Sequence, residues 1–313
     1  MISFVNAKIN LGLQIVRKRK DGYHDLQTVF YPVGKYAGTA ENPECFCDIL
    51  EVIACGGELG ADEKEECAGE KGDNSRIHAI SLSGRRVACP VEKNLVYKAS
   101  QLFCEEMKVD LSGISIMLEK HLPDGAGMGG GSADASFTLR LLADIFNRKN
   151  PEAKIEDRQL YEMALRLGAD CPFFILNRPA YAEGIGERLQ EIPLDLSGYW
   201  LGVVKPDIYV STKEAFSGVI PGEPDFDLRK ITDLPINLWK DFVHNDFEDS
   251  IFPLFPAIGE IKKRLYDYGA LYASMSGSGS SVYAIFSDRE TASLALTEFK
   301  GDATIEGCYL LKL

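Results

Sequence analysis

The chain has 313 residues, 45% of them hydrophobic, which is enough to bury a core in one large or two moderate domains. A formal net charge of −13 with no clustered basic stripe argues against nucleic acid or an anionic membrane as partner. An anionic ligand therefore has to be held by loop amides and one or two lysines against an unfavourable overall field.

No signal-peptide pattern follows Met1 and no apolar run approaches the roughly 18 residues that span a bilayer, so the chain reads as cytoplasmic. The first strand is legible from alternation: Val5, Ala7, Ile9, Leu11, Leu13 and Ile15 share one face, and Asn6, Lys8, Asn10 and Gly12 share the other. The lysine and asparagine on the polar face can point together at a ligand, although alternation by itself favours a solvated sheet face. Residues 17–25, RKRKDGYHD, read as a charged hairpin-like excursion with Asp21-Gly22 at its turn. Eight cysteines are present, densest at Cys45, Cys47, Cys55 and Cys67; these fit no C-x-x-C pair and no histidine lies at finger distance, so reduced packing thiols are expected. The stretch from about residue 56 to residue 80 is largely acidic and glycine-rich, and it reads as a surface insertion without a core of its own.

A helix follows over Asn94–Met107, with Leu95, Ala99, Leu102 and Met107 at helical spacing, then an apolar strand over Ile114–Leu118. The next segment, PDGAGMGGGSADAS from Pro123 to Ser136, carries Gly125, Gly127, Gly129, Gly130 and Gly131 and opens into a helix beginning near Ser132. Glycines without a Cβ can turn successive N–H groups toward one anion, and the helix adds its positive dipole end. The Ser132 hydroxyl is placed to reach a phosphate oxygen or a magnesium ion. No Gly-Lys-Ser/Thr follows, so this is not the Walker loop. A flexible linker is the bland alternative, and the flanking strand together with Phe137, Leu141 and Ile145, four residues apart, speaks against it.

A second helix is expected over Asp157–Leu167, with Leu160, Ala164 and Leu167 on one face and Gly168 as terminator. GADCPFFIL then places Asp170 in a tight loop ahead of an apolar strand; on local grounds a turn carboxylate capping nearby amides is the favoured reading. The second half, from about Pro179, offers a strand at Trp200–Val204, a helix at Ile258–Tyr268 closed by Gly269, and a glycine-serine turn at Ser276–Ser281 before a strand at Val282–Phe286. No internal repeat is visible.

Three of these segments, the N-terminal strand with Lys8, the glycine loop and MSGSGSSVYAIF, resemble in content and order the motifs of the GHMP kinase superfamily. Within it, Asp21-Gly22-Tyr23-His24, Lys93-Asn94-Leu95-Val96, the run Leu167–Pro172 and Asn245-Asp246-Phe247-Glu248 are similar to the branch acting on a cytidyl-diphosphate methylerythritol. The resemblance covers nearly the whole chain, with the acidic insertion as the main departure. It implies an α+β fold of two domains: a ribosomal-protein-S5-domain-2-like ATP-binding domain over residues 1–178 and a ferredoxin-like α/β sandwich over residues 179–313, with the active site in the cleft between them.

The resemblance also implies a reaction, ATP-dependent phosphorylation of the substrate's 2-hydroxyl in non-mevalonate isoprenoid biosynthesis. Asp170 is then the general base, and Lys8 beside it steadies developing charge. Tyr23 and Phe216 are expected to sandwich the cytosine while His24 bonds its edge, although a core phenylalanine is the bland reading of Phe216. Asn10, Thr212, Ser276 and Gly277 are expected to face the substrate, the last two in a loop, Ser276–Gly279, that closes over substrate and phosphate; a simple turn is the alternative there. Lys93, Asn94, Pro123, Gly125, Gly127, Met128, Gly129, Gly130, Gly131 and Ser132 are expected at ATP, with Mg2+ reaching Ser132 through the nucleotide. The partner is a small-molecule cytidine diphosphate, and a monomer or weak homodimer is expected. A homoserine or mevalonate type of kinase is the alternative inside the superfamily, and Tyr23-His24 counts against it because those substrates carry no cytosine. A non-catalytic nucleotide-binding regulator is the alternative outside enzymes, and the presence of both Lys8 and Asp170 counts against that.

Overall fold

A computed structural model describes residues 1–34, 46–54, 77–85 and 89–313. In chain order these form β1 (Ile2–Lys18), β2 (His24–Val33), β3 (Cys47–Ala54), β4 (Ile77–Gly84), α1 (Leu95–Met107), β5 (Leu111–Lys120), α2 (Gly130–Lys149), α3 (Asp157–Leu167) and α4 (Cys171–Leu176). There follow β6 (Ala180–Gly184), β7 (Arg188–Glu191), β8 (Trp200–Pro206), α5 (Thr212–Ser217), α6 (Trp239–Phe242), α7 (Phe247–Leu254), α8 (Pro256–Asp267), β9 (Tyr272–Met275), β10 (Val282–Phe286), α9 (Arg289–Thr297) and β11 (Ile305–Lys312). Most of the acidic insertion, residues 56–76, lies outside the described residues, as do Cys45, Cys55 and Cys67; the insertion ends earlier than residue 80, because β4 already begins at Ile77. Of the described cysteines, Cys89 and Cys171 carry free thiols.

The chain divides into two compact units. One comprises Met1–Val5, Cys47–Leu122 and Gly130–Leu176. Here β5 pairs parallel with β4 and antiparallel with β3, and the Met1 and Val52 backbones exchange hydrogen bonds at the start of β1. Leu50, Val52, Ile114, Ile116 and Leu118 are buried, and α1 and α2 pack on each other. The run 171–176 is a helix, α4, and not the expected strand. A short apolar run has no periodicity that separates a buried strand from a buried helix, and Pro172 at the second position suits a first helical turn, where its missing N–H costs nothing. Gly168 closes α3 as expected, but in extended rather than left-handed backbone, with φ 170°.

The other unit comprises Asn6–Phe46, Pro123–Gly129 and Asn177–Leu313. β1 and β2 form an antiparallel hairpin in which Lys18 faces His24, closed by the Arg19 N–H donating to the Tyr23 carbonyl and by Gly22 at φ 90°. β6 and β7 continue this sheet beyond β2. A second, four-stranded antiparallel sheet has the order β11-β8-β10-β9. Read along the chain, β8, helices, β9, β10, α9 and β11 make the β-α-β-β-α-β arrangement of a ferredoxin-like layer. Its core holds Val204, Phe247, Ile258, Leu265, Met275, Val282, Phe286 and Leu296.

Two local departures bear on the site. The polar face of β1 is not solvated: Asn6, Lys8 and Asn10 are only 2%, 3% and 2% exposed. Burial there is sustained by partners, because Asn6 and Asn177 exchange amide hydrogen bonds of 3.1 and 2.9 Å, and the Asn10 Nδ2 donates to Thr28 Oγ1 at 3.0 Å. The helix expected from Ile258 starts two residues earlier, at Pro256, where proline fits the first turn; Gly269 follows it at φ 89°, as a left-handed terminator should.

Candidate active site

Because successive strand residues alternate faces, Lys8 and Asn10 project on the same side of β1, and their side chains meet. The Lys8 Nζ donates to Asn10 Oδ1 at 2.5 Å and to the Gly127 carbonyl at 3.1 Å, and it lies 5.1 Å from the centre of the Phe30 ring. The Lys8 N–H donates to the Met128 carbonyl at 3.0 Å, so the glycine loop is bonded to the strand by both backbone and side chain.

Loop residues 123–129 use the freedom that their glycines provide: Gly125, Gly127 and Gly129 sit at φ 58°, 69° and 72°. A Cβ on Gly127 would lie 1.9 Å from the Ser276 carbonyl oxygen, which no side chain can occupy. The Ser276 Oγ donates to the Gly127 carbonyl at 3.0 Å, so the glycine loop and the Ser276–Gly279 turn interlock. Gly277, at φ 55°, approaches the same cluster; a Cβ there would be 3.3 Å from Asn10 Oδ1 and 3.5 Å from Lys8 Nζ. Lys8, Asn10, Gly127, Ser276 and Gly277 thus lie together, while Pro123 is buried at the start of the loop and the Met128 side chain packs inward at 3% exposure.

In the first unit, Gly130, Gly131 and Ser132 form the first turn of α2, two residues ahead of the expected start. Ser132 is half-buried and Gly131 exposed, so this turn presents free N–H groups at a 20-residue helix's positive end. Asp170, also half-buried, stands directly before α4, which is bolted to that turn: the Ser136 Oγ donates to the Cys171 carbonyl at 2.8 Å and to the Ser132 carbonyl at 2.9 Å. Burial pushes the Cys171 thiol up to about 11, although the Ser132 hydroxyl beside it pulls the other way, so it is a neutral packing group and no nucleophile. Asn94 is nine-tenths buried and caps α1, its Oδ1 accepting from the Val96 N–H at 2.8 Å; Lys93, in the preceding 3-10 turn, is exposed.

The expected base-recognition residues fall on the hairpin and on α5. His24 and Phe216 stack on each other with ring centres 4.5 Å apart and planes 15° from parallel, and Phe216 also meets Phe247 edge to face at 4.8 Å. Tyr23 is 61% exposed and Thr212, at the start of α5, is exposed. Burial, aided by Lys18, holds the His24 imidazole below its ordinary pKa, so it is neutral at pH 7 and able both to donate and to accept. Among the described residues no group of three or more His, Cys, Asp or Glu side chains is arranged to hold a metal ion.

Several contributors were not singled out by sequence. Thr28 relays the Asn10 amide to the Gly12 carbonyl, and the Tyr283 hydroxyl donates to the Asn10 carbonyl at 2.6 Å. The Tyr209 ring, 73% exposed, lies within 2.9 Å of where a Gly125 Cβ would be. Lys120, at the end of β5 ahead of the glycine loop, is buried between Asp48 of β3 and Asp134 of α2. A threonine in a strand or a lysine ending one carries no local signal for such roles; only the partner, far away in the chain, reveals them.

Comparison with known proteins places these features in a family. Residues 94–178 match the GHMP kinases N terminal domain and residues 234–302 the GHMP kinases C terminal domain. A 4-diphosphocytidyl-2-C-methyl-D-erythritol kinase of Bacteroides fragilis is 46% identical over 290 residues, covering 93% of each chain. The crystal structure of a 4-(cytidine 5'-diphospho)-2C-methyl-D-erythritol kinase superposes with a TM-score of 0.74 at 28% identity, over 100% of each chain. The homoserine kinase of Cytophaga hutchinsonii shares the fold at 17% identity, with a TM-score of 0.65 over 99% of this chain and 95% of that one.

Proposed function

We propose, for a chain that belongs to the 4-diphosphocytidyl-2-C-methyl-D-erythritol kinase family of the GHMP kinases, that it phosphorylates the 2-hydroxyl of 4-diphosphocytidyl-2-C-methyl-D-erythritol with ATP, giving the 2-phosphate and ADP for isoprenoid precursor synthesis. The observation that carries this reading is the buried cluster of Lys8, Asn10, Gly127, Ser276 and Gly277, joined to a hairpin that presents Tyr23 and His24. A homoserine or mevalonate substrate would leave those two aromatic groups without a base to read.

The donor set fits a nucleotide triphosphate. Three left-handed glycines at alternate positions shape a backbone cradle, with no room for a Cβ at Gly125 or Gly127, and the first turn of α2 offers amides without intrahelical partners to anionic oxygens. ATP would supply the phosphoryl group, and the Ser132 hydroxyl would help to hold a Mg2+ ion that would neutralise charge building during transfer. The protein's own part is positioning. Asp170 accepts the proton of the acceptor hydroxyl, and the Lys8 ammonium, aimed by Asn10 and the Gly127 carbonyl, steadies the negative charge that develops. Lys93 and Asn94 flank the nucleotide. Tyr23 and Phe216 enclose the cytosine once His24 swings from the Phe216 ring to the base edge, where a neutral imidazole can pair with a donor or an acceptor.

The decisive experiment is the isosteric Asp170→Asn change, assayed for phosphoryl transfer and for ATP binding. Removing the proton acceptor is expected to cut turnover by about 10²- to 10⁴-fold, the usual share of a general base, while leaving ATP affinity near that of the wild type. Near-normal turnover would remove Asp170 from the role, efficient phosphorylation of an alcohol lacking cytidine would shift the substrate, and ATP binding without transfer in the wild-type protein would favour a regulator.

A further inference from the structure

The segment Asn245-Asp246-Phe247-Glu248 is not part of the cluster around Lys8, yet it is hydrogen-bonded to both of its walls. On one side it runs alongside β1: the Leu13 N–H donates to the His244 carbonyl and the Asp246 N–H to the Leu13 carbonyl, both at 2.8 Å, and the Ile15 N–H donates to the Asp246 carboxylate at 2.6 Å. On the other side the Asn245 Nδ2 donates to two carbonyls of the glycine-serine segment, Met275 at 2.8 Å and Gly277 at 2.9 Å. The Asn245 Oδ1 is itself fixed, accepting from the Phe247 N–H at 3.1 Å, so the amide cannot turn over without losing all three bonds. Glu248 holds the same strand end, accepting from the Ser274 hydroxyl at 2.9 Å and the Met275 N–H at 2.8 Å. Asn245 is 2% exposed, and Gly277, one of its acceptors, stands within 3.5 Å of Lys8 Nζ once a Cβ is placed on it.

We infer that Asn245 is a positioning residue for phosphoryl transfer: its flanking residues His244 and Asp246 are tied to β1, its amide holds the Met275 and Gly277 carbonyls, and it so sets the distance between the Lys8 ammonium and the Ser276–Gly279 turn. The inference rests on the reading of the Lys8 cluster as the kinase site. Its physical basis is that a primary amide can offer two N–H groups to two carbonyls, whereas a carboxylate of the same shape offers none and repels both. Displacement of a catalytic group by about 1 Å typically costs on the order of 10²-fold in rate.

The test compares Asn245→Asp, which replaces both bonds by repulsion between oxygens, with Asn245→Ala, which only removes them, in the protein of 313 residues. For each, kcat is measured per folded molecule, alongside KM for ATP, KM for the cytidyl substrate and the thermal midpoint. The expected result is a fall in kcat of about 10²-fold for the aspartate variant and a smaller fall for alanine, with KM for ATP little changed. A purely structural residue would lower the thermal midpoint and the folded fraction but leave kcat per folded molecule near the wild-type value, and that outcome overturns the inference. If the aspartate variant does not fold, the alanine variant decides by the same criterion. Lys8→Ala run in parallel separates the two levels. If it abolishes turnover and the Asn245 variants keep kcat per folded molecule near the wild-type value, the positioning role alone falls; if it leaves turnover intact, the reading of the cluster falls and the role with it.

Discussion

Lys8 shows how a single buried cation is aimed. With its neighbours Asn10, Gly127 and the Phe30 ring on different sides, the ammonium has little rotamer freedom left to lose when a ligand arrives, which is the advantage of preorganised charge over a surface lysine. The residues proposed to read the base are built differently. Tyr23 is exposed and packs on little, whereas Phe216 is wedged between His24 and Phe247. Loss of a stacking ring costs roughly 1 to 3 kcal/mol, which corresponds to about 5- to 150-fold in affinity. Tyr23→Ala and Phe216→Ala are therefore each expected to raise KM for the cytidyl substrate within that range with a small change in kcat. Calorimetric melting should distinguish the two, with the midpoint unmoved for Tyr23→Ala and lowered for Phe216→Ala. An unchanged KM in either variant would remove that ring from the recognition of the base. Tyr23 and His24 were legible because they sit in a compact run with Asp21-Gly22, while the contact between His24 and Phe216 joins two distant segments and has no local signature.

At the scale of elements, the end of β5 and the start of α2 are locked by buried ions. The Lys120 ammonium bonds the Asp48 carboxylate and, at 2.7 Å, the Asp134 carboxylate, and Asp48 Oδ1 accepts from the His121 and Leu122 N–H groups at 2.6 and 2.8 Å. The chain on either side of the glycine loop is thereby held to one strand end. Lys120→Met would leave the Asp48 carboxylate buried without its cation, and breaking a buried ion pair from one side costs about 3 to 5 kcal/mol, so a loss of that size in the unfolding free energy measured in urea is expected. Asp134 adds a pH dependence. It is buried with Oδ1 unbonded, and burial, opposed in part by Lys120, pushes its carboxyl up to about 8 from 3.8. Below 3.8 both folded and unfolded chains hold the proton; between there and about 8 only the folded chain does, so this group makes folding less favourable as pH rises. Urea unfolding of Asp134→Asn between pH 5 and 8 should show that decline removed, and an unaltered slope would count against it. None of this was visible in sequence, because Asp48 lies 72 residues from Lys120 in the chain.

Across the whole molecule, the sequence by itself determined those features that depend on near neighbours. The alternation of β1, the turn at Asp21-Gly22, the left-handed glycines of the loop ahead of α2, α3 over its full span and the strand Val282–Phe286 all follow from steric and periodic rules acting over a few residues. The resemblance carried by those motifs then led to the GHMP kinase fold and its reaction. Tertiary structure decided what depends on distant partners. Residues 171–176 became a helix because a short apolar run takes its form from what it packs on. The polar face of β1 became interior because Thr28, Gly127 and Asn177, none of them close in sequence, supply hydrogen bonds that offset its desolvation. Asn245 could be read as part of a motif, but its task became apparent only where its amide meets Met275 and Gly277. Conformational preference is local and therefore written in short runs, whereas the satisfaction of a buried polar group is a relation between distant residues that exists only once the chain has folded.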